Sequence, residues 1–320
     1  MAAVLKPGWS KPSTILFAAE IPTNEKTFGF ALAQAAEFGA DLIIFHAYDR
    51  VGPDAKTPLG GHRNDYSLAR GERHFLEPFA ERARNAGIHC KILVREGQPA
   101  DELLAFLRDR GTIDRVIMGA HSPGPIGKLL VGSVAEAVLR NSEVPVCIVG
   151  PNAVEGTWRY PVARRILCDV SKREVSQVVA YLGAEVAAAD KACLLLQLVV
   201  APQDRAEALG VRSINEVEAE LHSLVPARLQ NYIRVQARAV LGDPTEELLY
   251  GGRAQKASLI LLGAQGASHF AAHTRAGAIY KVLAYAHCPV MTLSPVLLAG
   301  CGAKPPMPHP REINYLAGVV

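Results

Sequence analysis

Several features are scarce in this 320-residue chain, and each scarcity closes off a class of function. Aromatic residues make up only 6%, too few for the stacking platforms on which single-stranded nucleic acids lie. Neither sign of charge dominates. There are 34 Lys and Arg against 31 Asp and Glu, a formal +3, and no basic run that would follow a phosphate backbone or an anionic bilayer. The six cysteines, at 90, 147, 168, 193, 288 and 301, never fall at C-x-x-C spacing, which argues against a zinc ribbon or a disulfide framework. No apolar run reaches the roughly 18 residues of a spanning helix. The opening residues, Met1 to Gly8, lack the apolar stretch of about 7–15 residues that marks a secretory leader. Neither nucleic acid nor membrane is expected as a partner, no metal ligands are assigned, and the expected location is the cytoplasm.

What the chain does have is a repeat. Thr14-Ile15-Leu16-Phe17-Ala18-Ala19-Glu20 resembles Arg165-Ile166-Leu167-Cys168-Asp169-Val170-Ser171, and Gly97-Gln98-Pro99 followed by Ala100 to Leu104 resembles Gly242-Asp243-Pro244 followed by Thr245 to Leu249. Arg115 to Ala120 matches Leu259 to Ala264, and Val144-Pro145-Val146 with Cys147 to Val149 matches Cys288-Pro289-Val290 with Met291 to Leu293. The four segments keep their order and nearly their spacing, the signature of a duplicated unit. The length itself suggests roughly two domains at about 150 residues each.

Within a unit, short apolar runs alternate with helical periodicity. Residues 14–20, 42–48, 88–94, 113–119 and 144–149 read as strands. Phe28, Ala31, Leu32, Ala35 and Phe38 recur at helical spacing before Gly39, and Pro99 stands where a helix tolerates proline, in its first turn. The strands are continuously apolar rather than alternating, as a parallel sheet covered on both faces requires. The expected fold class is α/β: two tandem doubly wound, open, parallel five-stranded sheets. The domains are placed at 10–150 and 162–295, with Pro151 to Pro161 as linker and 296–320 as an extended tail.

The loop after the fourth strand, Gly119 to Val134, admits three motif readings. A P-loop would use Gly127-Lys128, but Ser122 stands at its first glycine and Leu129 at its hydroxyl. A nucleophile elbow would use Ser122 in Ala120-His121-Ser122-Pro123-Gly124, but the helical periodicity starts only near Leu129. A phosphate cradle would turn at Gly119 and offer an anion the backbone N–H groups and the Ser133 hydroxyl at the start of a helix after Gly132. Its place at the carboxyl end of a parallel strand is where such sheets bind ligands.

On this loop and on both repeats, the sequence resembles the universal stress protein family, whose nucleotide-binding members carry G-x-x-G-x₉-G-[ST] after the fourth strand. Gly119, Gly132 and Ser133 match three of its fixed positions, with the nine-residue spacer from Pro123 to Val131 intact and Ser122 in place of the second glycine. His121 matches a histidine frequent in that loop. Glu20 stands where the family has an aspartate near the adenosine, and His46 resembles its histidine near the end of the second strand. The resemblance implies an adenine-nucleotide α-hydrolase-like fold with ATP or another adenine nucleotide held in the first domain by Glu20, His46, Gly119, His121, Ser122, Gly132 and Ser133. It also implies that the two domains pack as a pseudo-dimer through their last strands, and it extends to a homodimer of the chain. In the second copy, Gly263 and Gly266 persist, but Ala276-Gly277 replaces Gly-Ser, Ser171 stands at the Glu20 position and Gln197 at that of His46. The second copy is therefore read as degenerate. Two alternatives stay open: an interaction or structural protein with relic motifs, motivated by Pro123, Pro125 and Ala276-Gly277, and a slow ATP hydrolase. No catalytic residue is assigned.

Overall fold

The short apolar runs become strands, and the amphipathic stretches between them become helices. The computed structural model describes residues 6–49, 65–120, 132–159, 164–171, 173–206, 210, 212–264 and 276–301. In the first half the strands are β1 (Thr14–Ala18), β2 (Asp41–Tyr48), β3 (Cys90–Glu96), β4 (Arg115–Gly119) and β5 (Val146–Val149). They alternate with α1 (Glu25–Phe38), α2 (Asp65–Asn85), α3 (Pro99–Arg110) and α4 (Ser133–Asn141). Local signals set the ends. Asn24 accepts from Thr27 N at the start of α1, Gly39 closes it in the left-handed conformation, and Pro99 opens α3.

A short helix, α5 (Gly156–Arg159), lies in the stretch expected to be only a linker. The second half then repeats the plan: β6 (Arg165–Asp169), α6 (Arg173–Ala189), β7 (Cys193–Val200), α7 (Ile214–His222), α8 (Ala227–Gln230), β8 (Val235–Leu241), α9 (Pro244–Ala254), β9 (Leu259–Gly263), α10 (Ala276–Tyr285) and β10 (Val290–Leu293). The chain beyond 295, expected to be extended, begins instead with α11 (Pro295–Gly300). Ser294 caps that helix by accepting from Leu297 N, and Leu297 and Leu298 are buried, so apolar contact and a cap outweigh the extended reading. Residues 302–320 of that expected tail lie outside the described ones.

The strand order is β3-β2-β1-β4-β5-β10-β9-β6-β7-β8. Each half has the parallel order 3-2-1-4-5. The halves are not separate sheets, however: β5 and β10 pair antiparallel, Cys147 opposite Met291, and fuse them into one ten-stranded sheet. Two four-residue apolar strands that would otherwise be free edges are thereby satisfied. The core lies on both faces of this sheet, and each layer runs through both halves. Among the described residues no helix is long and apolar enough to cross a membrane. All six cysteines are free thiols, and burial pushes those of Cys90 and Cys147 up to about 11. They pack as small apolar side chains.

Candidate functional site

The carboxyl ends of β1, β2 and β4 diverge from the starts of α3 and α4, and a cavity of about 430 Å³ opens between them. Glu20, His46, Gly119, Gly132 and Ser133 all line it, together with the apolar side chains of Phe45, Leu103 and Met118. The first five, scattered over more than a hundred residues of sequence, meet because the 3-2-1-4 strand order brings their strand ends side by side.

Each is positioned by its own element. Just after β1, Glu20 is held by a tight turn in which its carbonyl accepts from the Thr23 hydroxyl at 2.9 Å and the Ile21–Pro22 bond is cis. The His46 ring is buried, 9% exposed, with Nδ1 2.8 Å from Ala19 O. Because a carbonyl can only accept, Nδ1 carries the proton in that bond. Nε2 lies 3.6 Å from a Glu72 carboxylate oxygen on α2. Gly119 ends β4 against the first turn of α1: a Cβ there would stand 3.2 Å from Thr27 Oγ1 and 3.6 Å from Glu20 Oε1.

At the other wall, Gly132 is the N-cap of α4 and supplies no side-chain cap. The first intrahelical bond runs from Glu136 N to Gly132 O at 2.9 Å. Ser133, Val134 and Ala135 thus present N–H groups that the helix leaves without acceptors, and all three residues line the cavity. This end of a helix is favourable to an anion. His121 and Ser122, also assigned to the site by resemblance, lie outside the described residues. The sequence pattern did not single out Phe45, Leu103 or Met118, whose periodicity marks them only as core. It also passed over Thr27, whose buried hydroxyl faces Gly119 and finds no hydrogen-bond partner among the described residues.

The second half places different chemistry on the same backbone. Ala18 lies opposite Phe45, and its counterpart Asp169 lies opposite Gln197. Gln197 therefore corresponds to Phe45 rather than to His46 as the sequence spacing suggested, and Leu198 takes the histidine's place. The cause is one additional residue between the first two strands of the second half, which offsets the correspondence by one position, so that a match by spacing alone pairs residues of opposite faces. Ser171, at the Glu20 position, is spent on the backbone: its N–H donates to Asp169 Oδ1 at 3.0 Å and its hydroxyl accepts from Val199 N at 2.9 Å. Gly263, the counterpart of Gly119, is crowded by Val175 and Val179.

The universal stress protein family profile matches residues 12–150 and 163–294. A universal stress protein of Methanocaldococcus jannaschii is 29% identical over 136 residues, which is 40% of this chain and 79% of that protein. The crystal structure of a universal stress protein from Archaeoglobus fulgidus superposes with a TM-score of 0.63 at 16% identity, covering 88% of this chain and 98% of that one. Another from Archaeoglobus fulgidus, solved in complex with dAMP, covers 42% of this chain and 95% of its own at 18% identity and a TM-score of 0.31. With both halves matched, in the same order and over nearly their full extent, the chain belongs to the universal stress protein family, as a tandem of two such domains.

Proposed function

We propose that the first half binds an adenine nucleotide such as ATP and that the second half carries the fold without the site, the pair forming a stress-response module whose nucleotide occupancy tunes its interactions. The observation that carries this reading is the convergence of Glu20, His46, Gly119 and Ser133 on one cavity that also receives the N–H groups which the first turn of α4 leaves without helical acceptors. Phosphate oxygens would take those N–H groups and the Ser133 hydroxyl. The Glu20 carboxylate would accept from sugar hydroxyls, and Phe45, Leu103 and Met118 would give the base an apolar wall.

The tandem arrangement supports the asymmetry. A glutamate, a histidine and a serine in the first half face a backbone-bonded serine, a leucine and Ala276-Gly277 in the second. Titration calorimetry of the full chain with ATP should give saturable binding with one site per chain. Ser133→Ala should weaken it by about fivefold, the worth of one hydrogen bond of about 1 kcal/mol. No heat at millimolar ATP, or undiminished binding in a Glu20→Gln, Ser133→Ala double variant, would refute this assignment.

A further inference from the structure

The end of the sheet opposite this cavity, the rim made by the amino-terminal ends of the strands, differs in charge between the two halves. Backbone bonds align the two rims residue by residue. Asp41 N donates to Ser13 O as Cys193 N donates to Arg164 O; Leu42 N donates to His89 O as Leu194 N donates to Arg234 O. Asp114 N donates to Thr14 O as Ser258 N donates to Arg165 O, and Ala40 N donates to Ala35 O as Ala192 N donates to Ala187 O. Ser13, Thr14, Gly39 and His89 of the first rim thus correspond to Arg164, Arg165, Lys191 and Arg234 of the second. The two acids of the first rim, Asp41 and Asp114, correspond to Cys193 and Ser258.

The second rim has exchanged both carboxylates for uncharged residues and gained four cations. One of these, Lys191, holds a left-handed backbone (φ 52) where the first half has Gly39 (φ 63), a conformation that favours glycine.

These four cations line one cavity of about 360 Å³, joined by Cys193 and by Tyr232, which is 81% exposed. Arg164 is paired with Glu37 and lies 4.0 Å from Asp190, and Arg165 donates to Gln255 O at 2.7 Å. Lys191 and Arg234 are exposed and meet no carboxylate among the described residues. Burial pushes the Cys193 thiol up while Arg234 and Arg165 draw it back, so both guanidinium fields reach the same point. Among the described residues, the carboxylates that meet these four cations are Glu37 and Asp190, both at Arg164.

We propose that this rim is a second ligand site, distinct from the nucleotide cavity, for a small, multiply charged, phosphate-bearing anion of the size of pyrophosphate. Guanidinium forks match phosphate oxygens, and a lysine on its long stem adds a point charge. The cavity falls at the small end of ligand pockets, which span about 300–1,000 Å³. The overall charge of only +3 makes this local concentration of cations a feature of the fold rather than of composition.

The test is calorimetric titration of the full chain with pyrophosphate in low salt. Saturable binding is expected, weakened at least about tenfold in a Lys191→Gly, Arg234→Gln double variant. Lys191→Gly restores the residue that the first half uses at that turn, so the variant keeps its fold, which circular dichroism verifies. Ser133→Ala, in the other cavity, should leave intact the binding that this double variant removes. The proposal is overturned by absence of saturable heat at millimolar pyrophosphate, by unchanged binding in the double variant, or by loss of all binding in Ser133→Ala.

Discussion

Thr27 shows how much a single side chain can reveal when the fold is duplicated. Its hydroxyl is buried, 1% exposed, and has no hydrogen-bond partner among the described residues, whereas Val179 packs at the corresponding place against Gly263. Threonine and valine are nearly isosteric, so the difference between the halves here is one polar atom deprived of water. Such an atom costs stability. Thr27→Val should therefore stabilise the ligand-free protein by about 1 kcal/mol, seen in urea denaturation as a raised midpoint with an unchanged slope. A lowered midpoint would mean that the hydroxyl has a partner, such as a bound water.

At the scale of elements, the contact between β2 and α3 has been rebuilt in its repeat. Phe45 and Phe106 meet with ring centroids 5.6 Å apart in the first half. In the second, Gln197 and Gly251 stand there, with Gln197 Nε2 donating to Glu247 O at 2.8 Å. A Cβ on Gly251 would collide with Gln197 Oε1. Glycine to alanine inside a helix ordinarily gains roughly 1 kcal/mol. Here Gly251→Ala should instead cost about 1–3 kcal/mol, since the buried amide must give way and lose its bond. Combined with Gln197→Ala, the same change should regain most of its normal benefit, and a double-mutant cycle would measure that coupling. Additive effects would show that the glutamine and glycine are not a matched pair.

For the whole molecule, the β5–β10 junction and the shared core join the two halves structurally, and charges cross between them. Arg115 on β4, buried and donating to Trp9 O at 3.0 Å, acts together with Arg164 on Asp190 of the second half. Burial nonetheless holds the Asp190 carboxyl above its ordinary value, with those two cations only partly opposing it, and its Oδ1 accepts no hydrogen bond from the described residues. The folded state then binds that proton more tightly than the unfolded state, so ionisation at neutral pH costs stability, and the cost disappears as pH falls below the unfolded-state value. Asp190→Asn should raise the melting temperature at pH 7, with the gain shrinking as pH drops into the carboxylate range. A variant less stable than the parent at pH 7 would show that the ion pairs outweigh desolvation.

The fold was legible in the sequence to a large degree, and the site in part. Repeated strand runs, Pro99 and Pro244 at helix starts and Gly39 after α1 carry the architecture, because periodicity and capping are local. Gly119, Gly132 and Ser133, which line the candidate site, could be singled out because the proposed phosphate cradle would need its glycines and hydroxyl at set spacing. Gln197 was misplaced because a one-residue difference between strands is invisible until hydrogen bonding sets the register. Thr27, Leu103 and the cationic rim of Arg164, Arg165, Lys191 and Arg234 stayed hidden because their partners lie on other elements.

Composition and repeat alone determined that this is a duplicated α/β chain without metal-ribbon, disulfide or membrane-spanning signatures, since those properties depend on residue type and local order. Only the tertiary structure decided that the last strands pair antiparallel into one sheet, that the five assigned residues it describes share a cavity, and that a near-neutral chain concentrates positive charge at one rim. Those depend on which strand lies beside which, and the chain settles that only when distant segments meet.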